Sequence, residues 1–161
     1  MDPVDHVRAA LEEAGLDPGL VRELPADTST AEAAAEAVGA PTGSIVKSLI
    51  FLAEGTPLLV LVAGDQRADV KRLRAQLGLS KRQLRIARPT EVRELTGFEV
   101  GGVPPVGHAT PPRTLIDASL GREKRLLPDG PHSQSPSREF QAPEEHGIDH
   151  HDAYHRGNSE G

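Results

Sequence analysis

Two runs of aliphatic side chains dominate the hydrophobic pattern. The first, Ile45-Val46-Lys47-Ser48-Leu49-Ile50-Phe51, is bulky and partly β-branched, and it is entered through Gly39, Pro41 and Gly43. The second, Leu58-Leu59-Val60-Leu61-Val62-Ala63, is unbroken and closes at Gly64-Asp65. Such runs predict buried strands over 44–51 and 58–63. Glu54-Gly55-Thr56-Pro57 between them is a turn, and so short a link predicts an antiparallel pair. Elsewhere the apolar spacing is helical. Val4, Val7, Leu11 and Ala14, stopped by Gly15, predict a first helix. The alanine-rich run from Ala31 to Val38 predicts a second, with Ser29 and Glu32 spaced as a capping box and Gly39 as its stop. A third is expected over 68–77, with Val70, Leu73 and Leu77 on one face. Pro89 suits the first turn of a fourth, with Val92 and Leu95 inward and Gly97 ending it. Short strands are expected over 20–24, 83–87 and 114–117.

Past Leu127 the pattern fades. Between Pro128 and Gly161 only Phe140, Ala142, Ile148, Ala153 and Tyr154 are apolar. A stretch so poor in apolar surface cannot offset its ordering entropy. One domain over 1–127 followed by a disordered tail over 128–161 is therefore expected.

Composition narrows the chemistry. The chain has 161 residues, the size of a single domain. Aromatic residues make up only 2%, so the core must be aliphatic. The absence of cysteine removes disulfides, thiolate nucleophiles and cysteine zinc sites. No apolar stretch approaches a membrane span, and the acidic start carries no secretory signal, so a cytoplasmic location is expected. A net charge of −6 argues against a generally basic nucleic-acid coat but leaves room for a local basic face.

Three features carry candidate chemistry. Lys47 stands alone among apolar neighbours, where an ammonium is costly unless paired. Either it snorkels from an edge strand to water, or it lines a pocket and meets an anionic or polarised oxygen. A basic cluster spans Arg67, Lys71, Arg72, Arg74, Lys81, Arg82, Arg85, Arg88 and Arg93, opposed only by Asp69 and Glu91. Arg67, Lys71 and Arg74 fall near one helical face and suit phosphate contact; a solvated helix face is the plainer reading. The loop Gly101-Gly102-Val103-Pro104-Pro105-Val106-Gly107 lets backbone approach a ligand closely, yet its spacing matches no nucleotide motif. His146 with His150, and His151 with His155, could pair on a metal only if that stretch were helical, which its composition opposes. No nucleophile elbow is present, so a hydrolase of this sequence would use water and stabilise the developing oxyanion.

The ordered set Thr30-Ala31-Glu32-Ala33-Ala34, Ile45-Val46-Lys47-Ser48-Leu49, Val62-Ala63-Gly64-Asp65-Gln66-Arg67, Leu95-Thr96-Gly97-Phe98, Gly101 to Gly107, and Leu115-Ile116-Asp117 resembles the YbaK/aminoacyl-tRNA deacylase family. These are free-standing relatives of the editing domain inserted in bacterial prolyl-tRNA synthetases, and the resemblance covers roughly residues 5 to 120. It implies an α/β fold around a mixed, barrel-like sheet. It implies hydrolysis of the ester joining a wrong, small amino acid to tRNA, usually the tRNA for proline. Lys47 maps onto the family's central lysine as the catalytic residue, and Gly101 and Pro105 onto its G-x-x-x-P loop. Thr30, Gly101, Gly102, Val103 and Pro105 are the implied substrate-binding set, with Arg67, Lys71 and Arg74 for the RNA. The family works without a metal or other cofactor. The implied partner is aminoacyl-tRNA at its acceptor end, with prolyl-tRNA synthetase a candidate protein partner and neither DNA nor membrane involved. The alternative is a non-catalytic or decayed tRNA-binding relative of the same fold. Past Leu120 the chain departs from the family, with Gly121-Arg122-Glu123-Lys124-Arg125 where relatives continue with an apolar segment, so an exposed sheet edge is expected there.

Overall fold

The computed structural model describes residues 2–24 and 27–125. The expected tail over 128–161, with its five histidines, lies outside the described residues.

The organising element is a hairpin. Strand β1 (Val46–Ala53) pairs antiparallel with β2 (Thr56–Ala63), with Lys47 opposite Val62 and Phe51 opposite Leu58. Glu54 and Gly55 turn the chain at φ 51° and 82°, the left-handed pair that a two-residue hairpin requires. A short strand β3 (Leu84–Ile86) adds antiparallel to β1, and β4 (Arg113–Ile116) adds parallel to β2. The order is β3-β1-β2-β4. Six consecutive residues of β1 are buried, so both faces of this strand are covered, as its unbroken apolar run requires. The sheet is open. The barrel-like expectation is corrected: β3 and β4 form the two edges among the described residues. Four strands twisting by about 20–25° per neighbour cannot wrap onto themselves.

Four helices complete the fold: α1 (Pro3–Glu13), α2 (Ala31–Val38), α3 (Val70–Leu77) and α4 (Pro89–Thr96). Each start has a visible cause. The side chains of Asp2, Thr30 and Asp69 accept the N–H groups of Val4, Ala33 and Arg72. At α4 the Glu91 carboxylate accepts the Arg88 N–H at 2.8 Å. The core is aliphatic, with Leu49, Ile50, Leu59, Val62, Leu84 and Val92 at most 1% exposed. Among the described residues no helix is long and apolar enough to cross a membrane.

Four local expectations are corrected. Residues 20–24 form no strand: Asp17 accepts the Gly19 N–H and starts a 3₁₀ turn over Pro18–Leu20 instead. The cap of α2 is Thr30 rather than Ser29, whose own N–H goes to Asp27. Leu95 is 38% exposed, because Thr96 takes the inward place; its hydroxyl donates to the Val92 carbonyl at 2.7 Å and accepts the Phe98 N–H at 3.1 Å. The first strand begins at Val46, since Thr42–Ser44 is spent on another 3₁₀ turn.

Candidate functional site

β3 is short, and this opens the site. It pairs only with Phe51, Leu52 and Ala53, so the first residues of β1 have no strand beside them on that edge. A cavity of about 200 Å³ is lined there by Ile45 to Ser48, by Thr28 to Ala31 at the start of α2, and by Gly101 and Val103. Lys47 is only 6% exposed, although it carries an ammonium. So little of it reaches solvent that snorkelling from an edge strand to water does not describe it.

Small residues bring the walls together. Gly101 has φ +90°, a backbone state that side chains resist. A Cβ there would sit 3.1 Å from the Ser29 carbonyl oxygen, so the loop rests directly on the segment before α2. Gly64 is tighter still, because a Cβ would fall 2.3 Å from the Thr42 oxygen. The Gly64 N–H donates to the Ile45 carbonyl at 2.7 Å and ties the end of β2 to the start of β1. At the rim, the Ser29 N–H bonds the exposed Asp27 carboxylate and holds it below the usual carboxylate range.

The structure gathers Lys47, Thr30, Gly101 and Val103 around one cavity. Gly102 and Pro105 are exposed and lie outside its wall; the Gly102 N–H is turned back to the Glu99 carbonyl at 3.0 Å. Arg67, Lys71 and Arg74 do not line the cavity either. Arg67 and Lys71 are exposed, whereas Arg74 is half-buried, with its Nε enclosed and unpartnered among the described residues. Two members of the basic cluster are already engaged by carboxylates: Arg85 bidentately with Glu91, at 2.7 and 2.8 Å, and Arg93 with Glu99 at 3.1 Å.

One cavity residue went unremarked in the sequence. Ser48 is 5% exposed, and its hydroxyl has no hydrogen-bond partner among the described residues. Its place directly after the odd lysine was the available signal. A buried cation, an idle hydroxyl and a glycine-shaped wall can together bind and polarise a small oxygen-bearing group in a poorly solvated space.

The comparisons with known proteins agree on one family. The family model for the aminoacyl-tRNA editing domain matches residues 25–135. The uncharacterized protein YwhH of Bacillus subtilis is 40% identical over 109 residues, covering 67% of this chain and 68% of its own. A proline–tRNA ligase of Oleidesulfovibrio alaskensis is 36% identical over 81 residues, half of this chain but only 14% of the ligase. A solved structure described as a candidate trans-editing enzyme for prolyl tRNA synthetase superposes with a TM-score of 0.65 at 48% identity, covering 74% of each chain.

Proposed function

The chain belongs to the aminoacyl-tRNA editing domain family, and from that premise we propose that it is a free-standing hydrolase that deacylates mischarged tRNA, its substrate being the tRNA for proline carrying a small wrong amino acid. The observation that carries this reading is the buried ammonium of Lys47 on the wall of a cavity of about 200 Å³ shared with Gly101 and Val103.

In this reading the aminoacyl end enters beside the short β3 edge. Water attacks the ester carbonyl carbon, the tetrahedral oxyanion collapses, and the ribose oxygen leaves with a proton, giving free amino acid and tRNA. Lys47 supplies a point charge to the carbonyl or to the oxygens of the terminal ribose. In so enclosed a space that charge is far less screened than in water. Gly101 and Val103 shape the wall against the side chain, and Thr30 borders the opposite side. Gly102 and Pro105 act one step back, by holding the loop. Arg67 and Lys71, with Arg74 behind them on α3, take the acceptor-stem phosphates. Prolyl-tRNA synthetase is the enzyme whose errors such an activity would remove.

The test is a deacylation panel over tRNAs charged with alanine, cysteine, serine, threonine and 2-aminobutyrate, run with the parent chain and with Lys47→Ala. The parent should clear at least one of them. The alanine variant should lose about 100- to 1,000-fold in rate, the scale of removing one oxyanion-stabilising group. An alanine variant that cleaves at the parent rate would overturn the role of Lys47. A parent that binds tRNA but cleaves none would put the non-catalytic alternative in its place.

A further inference from the structure

Residues 98–108 form a loop closed by an imidazole. His108 is 9% exposed, and its Nε2 lies 2.8 Å from the Pro104 carbonyl oxygen. A carbonyl oxygen only accepts, so Nε2 carries the proton. The ring stands edge-on to Phe98, with centroids 5.6 Å apart and planes at 68°. Phe98 is itself tied to the end of α4 through Thr96. Beyond the clasp the loop is seated twice by glycine. Gly107 has φ +87°, and a Cβ there would lie 3.0 Å from the backbone of His6; Gly101 presses on Ser29. Between Phe98 and His108 lie Gly101 and Val103, the loop's contribution to the Lys47 cavity.

The other ring nitrogen of His108, Nδ1, is enclosed and meets no hydrogen-bond partner among the described residues. A leucine would fill the space without stranding that nitrogen. Burial alone therefore gives no reason for an imidazole here, whereas the bond to Pro104 does. Pro104 is the immediate neighbour of Val103, so this bond restrains the cavity wall alongside the core packing of Val103. His108 does not line the cavity, and any influence it has on substrate must pass through the loop.

We propose that His108 is a positioning residue that sets the size limit of the cavity: its Nε2–H bond to Pro104 holds Val103 and Gly101 in place, so that small acyl groups are admitted and larger ones refused. This rests on the reading of the cavity as the aminoacyl site. A wall that can retreat lets a longer side chain in, and it grips a short one less well. The signature is thus a change in selectivity, not a uniform loss of rate.

The experiment compares kcat/KM for alanyl and leucyl esters of one tRNA in four proteins: the parent, His108→Leu, His108→Asn and His108→Gln. Leucine removes the donor. Asparagine keeps an amide but cannot reach the Nε2 position, and it stands in if the leucine variant does not fold. Glutamine returns an N–H of similar reach. The alanyl-over-leucyl ratio should fall about tenfold in the first two, the scale at which one or two methylenes are discriminated, and recover in the third. Equal losses on both esters, or an unchanged ratio in a folded donorless variant, would overturn the proposal. So would a glutamine variant as unselective as asparagine. A parent inactive on every ester would instead sink the deacylase reading beneath it. Nitrogen NMR of the ring gives a check free of activity: the Nε2–H tautomer is expected, and an Nδ1–H tautomer would remove the clasp.

Discussion

One hollow, about 520 Å³, lies between α3 and β4 and has an aliphatic floor that includes Val60, Val62 and Leu73. A smaller one, about 200 Å³, lies beside the unpaired start of β1 and holds a buried lysine, an idle hydroxyl and a glycine at φ +90°. The first lies at a sheet edge, where Ile116 remains 58% exposed. The second bears features that packing alone would not select: a desolvated charge and a backbone turn open only to glycine. Volume therefore misleads here, and the expense of the side chains favours the smaller hollow as the candidate site.

Substitutions should separate the two hollows along different axes. The largest effect is expected in the small one. Lys47→Met keeps the aliphatic stem and removes the charge, so turnover should fall about 100- to 1,000-fold with little change in melting temperature. A variant that unfolds, or one that stays active, would break the contrast. In the large hollow Leu73, 7% exposed, is a core side chain. Leu73→Ala should cost about 2–5 kcal/mol in urea unfolding while leaving turnover per folded molecule unchanged. Loss of kcat in the folded fraction would mean that the groove takes part in the chemistry.

A smaller effect is expected at Gly101. Its Cβ would stand 3.1 Å from the Ser29 oxygen on a backbone already at φ +90°. Gly101→Ala should cost about 1–3 kcal/mol, expressed partly as a raised KM because the wall shifts toward Lys47. Gly97→Ala serves as the control. It is also left-handed, at φ +78°, but has open space around its Cβ, so it should lose stability without a change in KM.

Much of this was legible before the fold was in hand, and the residues show why. The hairpin was readable because two aliphatic runs flank a turn too short for anything else. Lys47 was readable because a charge interrupts one of those runs. The remaining walls were not: Ala31, Ala34 and Ile45 are ordinary residues that matter only through their place. The strand expected over 20–24 failed because Asp17-Pro18-Gly19 makes a tight local turn, and strand formation depends on a partner that sequence does not supply. The basic cluster was overcounted for a similar reason. Arg85 and Glu91 are six residues apart and meet only because β3 runs into α4.

That pair gives the finest test, because α4 is the platform from which the cavity loop departs. Glu91 is held down at about 2, first by hydrogen bonds from the Arg85 guanidinium and then by the Arg88 N–H, from an ordinary value of 4.5. A carboxyl whose folded-state value is depressed contributes stability above its unfolded value and loses that contribution as pH falls toward the folded one. The contribution should therefore be complete above about pH 4.5 and gone near pH 2. Both side chains are partly exposed, at 45% and 25%, so it should stay below about 1 kcal/mol. Glu91→Gln removes the charge but keeps an acceptor for the Arg88 N–H. Urea midpoints for parent and variant should thus differ at pH 7 and converge toward pH 2. A gap that is constant across that range would assign the effect of Glu91 to packing. If the gap closes while KM is unmoved at pH 7, the platform can loosen without disturbing the wall, and the wall's position then depends on contacts within the loop and not on the helix that carries it.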